Sequence, residues 1–589
     1  MHAMALRRDR LPFAIVLIAV VGVVTSCVVW MRNTIVSFDD WNFVLDRRGG
    51  TPTFIPNEID QWLSPHNGHP VMLLVGIYRA VGRVAHYSYP ALVGIAAMLH
   101  GAVVVALYIY ARRRLGAWPA LVPALLVVLL GRGAPVVLSP IVMAFTIALA
   151  AGITALNIVD GRTKPSTVAV GVVNVIAVAA SGLGLARVVT IGVDRVTRLR
   201  SVGPTKTWLQ REGWRWAFAV GGPLAMFVIW YLTENDGRRD AAALISSVTF
   251  AGQVVAAGTA GLIGLPSRGS TVVALIAATA LVAIVVRRRH HLDAARLIAL
   301  VAGLVVDVSL MSWGRAGNAL PDSGRYVYVI GVQVALITTE ALRGWRVPGR
   351  ARRIATPLAA LGLVAAIAGG TGPLRKTLHD FRTDNHRTRV ALSAFLRAEA
   401  TGIVFDASFQ PDPEFAPQVS ASRLNGLVRD RQSPIGTTVL RPRTENERQL
   451  VDYFDALVFV RVKEGTANEP SKAGAFDFSG TPPNVVDSSN VLAETKGQCT
   501  TFTAIGEDAF VDLQFPLAGE QWEVDTTGAT TVNARSRAAE LSGRDLVTLT
   551  RPGRIEIAVP DRSSVRGARP WIARIRLGAT AVACRLPEK

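Results

Sequence analysis

Two adjacent carboxylates, Asp39 and Asp40, and two histidines three positions apart, His66 and His69, fall within the stretch 37–70. A carboxylate can take a proton from an attacking hydroxyl, or hold a divalent cation such as Mg or Mn that neutralises a phosphate leaving group. Neighbouring side chains point different ways, so one acid could act while the other positions; a helix cap beside a solvated loop acid is the competing reading. Histidines at i and i+3 can share a helix face and bind a metal together with a carboxylate. Gly68 and the flanking Pro65 and Pro70 argue against a regular helix there. One histidine is then left to orient Asp39, Asp40 or a substrate hydroxyl, against the alternative of polar residues at an interface.

The chain that must position these groups has 589 residues, half of them hydrophobic, with a formal charge of +20. Such composition points to a membrane protein of many spans. The basic residues form short clusters between apolar runs, as cytoplasmic loops do, and no basic stripe with interleaved aromatics offers a nucleic-acid surface. Arg7, Arg8 and Arg10 precede the apolar run 11–30 and keep the N-terminus inside. The lipobox-like residues before Cys27 are followed by more apolar residues, which favours an uncleaved helix. The stretch 37–70 then emerges on the outer face, followed by a surface helix over 70–84 with Arg79 and Arg83 on its polar side.

Further crossings are expected at 90–110, 119–130, 136–159, 166–180, 182–193, 216–233, 271–286, 294–311, 326–342 and 354–368, with another surface helix within 234–270. That is about eleven transmembrane helices over residues 1–371. An odd number places the rest of the chain outside the plasma membrane. Arg187 and Arg325 stand at outer ends of spans, where a guanidinium can clamp a lipid phosphate or serve only as an anchor. Asp307 and Arg315 could form a structural ion pair, and His100 reads as a packed polar residue. There is no Walker loop, zinc-type cysteine cluster or nucleophile elbow.

Residues 372–490 read as a mixed α/β connecting segment, and 491–589 as a β-sandwich. In the latter, apolar residues alternate with polar ones around Val511, Ile555 and Ile575. Of three cysteines, Cys499 and Cys584 bracket this module. Outside the cell a disulfide between them would staple its ends; two free thiols are the alternative.

Phe38-Asp39-Asp40-Trp41, Asn67-Gly68-His69, the turn 181–184 and Gly324-Arg325-Tyr326 together resemble the GT-C glycosyltransferases. The resemblance extends to bacterial cell-wall arabinosyl- and mannosyltransferase-type proteins. In related bacterial membrane proteins Asn-Glu-His often stands where this chain has Asn67-Gly68-His69. The resemblance implies a polytopic α-helical membrane enzyme with an extracytoplasmic β-sandwich that holds glycan. It implies sugar transfer from a polyprenyl-phosphate donor to a cell-envelope glycan or glycolipid, with inversion and no covalent intermediate. Asp39 or Asp40 would be the general base, Asp40 the metal ligand, and Arg325 and Arg187 the donor-phosphate ligands. His66 and His69 would contact substrate. Two other readings stand beside this one: a non-catalytic anchor displaying a glycan- or protein-binding module, and a flippase for a lipid-linked sugar.

Overall fold

In the computed structural model the apolar runs fold as α-helices, which satisfy their own backbone groups where no water is present. The structure describes residues 2–586 apart from 48–57, 161–165, 201–212, 235–243, 401–404, 436–440, 455–460, 466–483, 515–519, 536–546, 560–571 and stretches of three residues or fewer. The chain divides into two compact units, Met1–Asn385 with Leu427–Pro434, and His386–Gly426 with Ile435–Lys589.

The first unit begins with α1 (His2–Met31), which carries the first span, Arg10–Met31. Three short helices follow: α2 (Asp40–Asp46), α3 (Glu58–Leu63) and α4 (Met72–Ala85). The long helix α5 (Tyr89–Leu115) is the second span. Then comes a broken one: α6 (Leu121–Val128) and α7 (Ala134–Leu138) meet through a 3-10 turn at Gly131–Gly133 and are bent by 44°. Pro140 opens a further 3-10 turn that leads into α8 (Met143–Val159). Residues 136–159 are therefore two helices rather than the single crossing expected. Pro140 has no N–H to continue α7, but it suits the start of the next helix.

Beyond these lie α9 (Thr167–Ala180), α10 (Gly184–Arg200), α11 (Trp214–Glu234), α12 (Leu244–Leu262), α13 (Ser270–Arg288), α14 (Ala294–Arg315), α15 (Gly324–Ala341) and α16 (Gly349–Ala400). Among the described residues seven helices are long and apolar enough to cross a membrane, or eight counting the bent pair as one span. The expectation of about eleven also counted α9, α10 and α15. The first two have 14 and 17 residues, short of the ~20 that cross a bilayer upright. Gly184–Arg200 also ends in a run of charges. In α15 nearly every residue is buried, including Glu340.

The composition changes near 371, but the helix does not stop there. α16 runs through Pro373 to Ala400, and the two units part between Asn385 and His386. The second unit holds α17 (Ala421–Arg429) as far as Gly426 and, among the described residues, eleven antiparallel strands in two sheets. The six-stranded sheet has the order β1 (Arg461–Gly465), β9 (Gly553–Val559), β6 (Glu520–Thr526), β11 (Thr580–Leu586), β4 (Cys499–Ala504), β3 (Val491–Lys496). The five-stranded sheet has the order β2 (Asn484–Ser489), β5 (Phe510–Gln514), β10 (Ile572–Leu577), β7 (Thr530–Arg535), β8 (Val547–Leu549). The sheet region thus begins before residue 491.

Phe502, Val511, Leu513, Val524 and Ile575 are buried with the alternation the sequence shows. Asp512 departs from it: expected to face water, it is fully buried, with Arg574 as its register partner across β10. Cys499 is disulfide-bonded, Cys27 is free, and the register sets Cys584 opposite Cys499.

Candidate functional site

Two buried arginines build the loop that follows α1. Arg47 donates to the carbonyls of Gln61, Ser64 and Pro65 at 2.9–3.1 Å. Arg79, expected on the polar side of its helix, is turned inward instead. It donates to the Arg47 carbonyl and to Gln61 Oε1 at 2.7 Å, pairs with Glu58 and stacks on Trp62. Fixed carbonyls without helix or sheet partners need such donors once buried. Trp230 adds a bond to the Leu63 carbonyl at 2.7 Å and so ties the loop to α11.

This scaffold ends in a two-residue hairpin. His66 and His69 exchange both backbone hydrogen bonds at 3.0 Å, and Asn67 and Gly68 have φ of +51° and +75°. Asn-Gly suits this turn because both central positions need a left-handed backbone. The two histidines are therefore a facing cross-strand pair and not an i, i+3 pair on a helix. His66 Nε2 lies 3.9 Å from Asp39 Oδ2, and Asn67 Nδ2 approaches the same oxygen at 3.4 Å. His69 goes elsewhere: its ring meets the edge of Phe145, and it packs beside Gly182 in the turn before α10.

The two acids live in different surroundings. Asp39 is at the N-cap of α2 but does not cap it; its side chain is 48% exposed and faces the hairpin. The hydrogen bond and charge of His66, opposed by partial burial and assisted by Asn67 and Arg325, hold its pKa below the ordinary value. Phe38, just before it, has φ +48°, a costly conformation for a bulky residue that turns the chain into α2. Asp40 is 1% exposed. It accepts hydrogen bonds from the Tyr78 hydroxyl and from the N–H of Ile141, in the opening turn ahead of α8. Burial, with a smaller push from Asp39, raises its pKa to about 7 despite those bonds. One acid is thus ionised and open, while the other anchors the loop to the bundle.

Asp40 offers a cation no open oxygen. Among the described residues no three His, Cys, Asp or Glu side chains converge as a metal site. The metal role that the resemblance implies for Asp40 does not fit this buried, hydrogen-bonded carboxylate.

Arg325, at the start of α15, is half-buried over the Tyr326 ring and acts electrostatically on Asp39. Its Nε and the Tyr326 hydroxyl are buried without partners among the described residues. Arg187 is not at this place. Deep among the helices, it pairs with Asp307 and donates to Gln333; the side chain of Arg315, the partner expected for Asp307, lies outside the described residues. His100 is the packed polar residue expected, 2.7 Å from the Tyr328 hydroxyl.

A second polar cluster joins the opposite ends of the same helices. Glu340 takes Arg114, Tyr110 and Arg343; Asp160 takes Arg114 and Arg296; Asp194 takes Arg296 and Arg198; Asp293 takes Arg198 and Arg343. Sequence reading took Arg114, Arg198 and Arg343 as loop charges and missed Arg296 and the acids that organise them. It also missed Tyr78 and Ile141. Tyr78 lies one position from Arg79, and the residues of α4 that turn inward include both. No family model matches the chain, and no curated protein matches it significantly.

Proposed function

We propose that the protein is a membrane glycosyltransferase of GT-C type, acting at the outer face of the plasma membrane on a polyprenyl-phosphate sugar. The carrying observation is the divided carboxylate pair. Asp39 is ionised and half-exposed beside a histidine and a guanidinium, on a loop that Asp40 fastens to membrane helices. The starts of α10 and α15 meet at this site and their later turns meet in the arginine-rich network, so the two clusters lie at opposite ends of the same helices.

In the reaction the acceptor hydroxyl of a cell-envelope glycan or glycolipid attacks the anomeric carbon from the face opposite the phosphate. The sugar–oxygen bond breaks and the phosphate leaves with the electron pair, received by Arg325. Asp39 accepts the hydroxyl proton, with His66 orienting its carboxylate. One displacement inverts the anomeric centre. The two sheets of the second unit form a sandwich that binds the growing glycan.

The test is transfer of radiolabelled sugar from a panel of polyprenyl-phosphate donors by purified protein in lipid, with Asp39→Asn alongside. Transfer that the variant loses supports the reading. Equal transfer by both removes Asp39 as the base. No transfer with any donor favours a non-catalytic scaffold.

A further inference from the structure

Residues 354–374 of α16 carry no charge, and that length of helix, about 30 Å, matches the hydrocarbon of a bilayer. Arg350, Arg352 and Arg353 precede the stretch; Arg375, Lys376 and Arg382 follow it. In either orientation one of these basic ends lies outside, where the positive-inside bias disfavours it. Topology therefore explains one end and leaves the other to be accounted for.

The end that follows the span sorts its charges by side. Arg375, His379 and Arg382 stand four and three residues apart and share one face of the helix. All three are exposed, and none makes an ion pair or hydrogen bond with the described residues. Asp380 and Asp384 fall on the opposite flank, where Asp380 takes Lys376 at 2.6 Å. An ordinary solvated face mixes its signs, as Lys376 and Asp380 do; the flank of Arg375 holds no acid.

Packing fixes which way this flank points. On the inward face a Cβ on Gly131 would collide with the Gly370 carbonyl, Leu374 lines a cavity with Gly22 and Cys27 of α1, and Asn385 accepts the Ile35 N–H at 3.2 Å. Leu361, Val364 and Ala368 are exposed and lie on the same face as Arg375, His379 and Arg382. The span in α16 is only 11% buried, so this is the face it turns to lipid. Apolar side chains meet the acyl chains. The first polar ones beyond them, Arg375 and His379, stand about 6 Å apart along the axis, the depth of one headgroup layer.

We propose that the stripe Arg375, His379, Arg382 docks α16 onto the headgroups of anionic phospholipid. The guanidiniums fork onto phosphate oxygens, and the imidazole donates a hydrogen bond to another. A phosphate without a choline beside it is preferred, because the stripe is basic and lacks acids. The contact sets the depth at which α16 leaves the membrane, four residues before the second unit begins at His386. It holds whether or not the protein transfers sugar.

The experiment places a bimane at Gly372→Cys, on the full chain with Cys27→Ser, in phosphatidylcholine nanodiscs. Gly372 is exposed, with nothing near its missing Cβ. A small fraction of doxyl-labelled phosphatidylglycerol or doxyl-labelled phosphatidylcholine serves as quencher. The phosphatidylglycerol should quench about five-fold more effectively, the scale of one basic side chain at an anionic surface. Joint replacement by Arg375→Gln, His379→Gln and Arg382→Gln should abolish the preference without moving the melting temperature, and Arg375→Lys with Arg382→Lys should keep much of it. Salt at about 1 M should remove it in the unsubstituted stripe, since screening then acts within about 3 Å. The same probe at Leu358→Cys, toward the other end of the span, should not respond to the triple replacement. Equal quenching by the two lipids, a preference that survives the triple replacement, or an equal loss at Leu358→Cys overturns the proposal. Displacement by dextran sulfate at a lower charge concentration than that of the headgroups would identify an anionic glycan as the partner and overturn the lipid assignment.

Discussion

The two ends of the helical unit treat charge in opposite ways. At one end Glu340, Asp160, Asp194 and Asp293 each face two arginines, and each arginine is shared between acids. At the other end one acid is fastened by a hydroxyl and a backbone N–H, one is half-exposed, and Arg325 makes no ion pair or side-chain hydrogen bond with the described residues. A closed network fixes helix ends in place and has nothing left to offer a ligand. An open one keeps directed charge for a group that arrives later. The difference separates residues that hold the bundle from residues available for chemistry.

The sharpest break of that comparison is Asp39→Asn. As the base it should lower transfer by roughly 10²–10⁴-fold, with stability within about 0.5 kcal/mol of wild type because the side chain is half-exposed. Since the pKa of Asp39 is lowered, the acid limb of wild-type activity should lie below the usual aspartate range. An acid limb near neutrality would move the role to Asp40. The closed end should answer oppositely. Arg296→Met leaves Asp194 and Asp160 with one arginine each, and removing one partner from a buried pair costs up to about 3–5 kcal/mol. Thermal unfolding in detergent should show that loss, while the surviving folded fraction keeps its specific activity. Loss of activity at an unchanged melting temperature would mean that the network takes part in the reaction.

How much of this was legible follows the range of the signal. Apolar length marked the long spans, and the arginine clusters marked helix ends, because both are local properties of the chain. The break at 131–140 was harder: Gly131, Gly133, Pro135 and Pro140 sit in an apolar run that reads as two plain crossings until packing against Gly370 and Gly324 shapes it. Asp39 and His66 could be singled out by type and closeness in sequence. That Asp39 is the open acid and Asp40 the anchor depends on Tyr78 and Ile141, 38 positions and about a hundred positions away. That Arg187 is held by Asp307 and Gln333 depends on two helices distant in sequence. Strand alternation marked β5 and β10 but not the burial of Asp512, whose register partner lies in another strand.

Asp40 offers a smaller test, in pH. Burial raises its folded pKa from 3.8 to about 7, so the folded protein holds this proton more tightly than the unfolded chain. The resulting contribution to stability is complete below the unfolded value and is lost as pH rises through the folded one. Melting of wild type should therefore fall between pH 5 and pH 8 by more than that of Asp40→Asn, which does not titrate. Equal slopes would mean that Asp40 is solvated and that the two acids do not differ as described. Transfer by Asp40→Asn should persist at a reduced level, since Asp40 positions the loop and does not touch substrate.

The smallest effect is expected where sequence reading placed a phosphate ligand. Arg187 and Asp307 pair deep in the bundle, with Arg187 Nε and Asp307 Oδ1 unpartnered among the described residues. Replacing a buried ion pair by apolar residues of similar volume is often neutral or stabilising, whereas removing one partner is not. Arg187→Met with Asp307→Leu should change stability by about 1 kcal/mol or less, and transfer should keep its KM for the donor. Either single replacement should cost several times more stability, because it strands a charge. A donor KM that rises about ten-fold in the double variant would show that Arg187 reaches the phosphate after all. The open cluster would then extend from the hairpin into the middle of the bundle, and the contrast between its two ends would no longer sort structure from function.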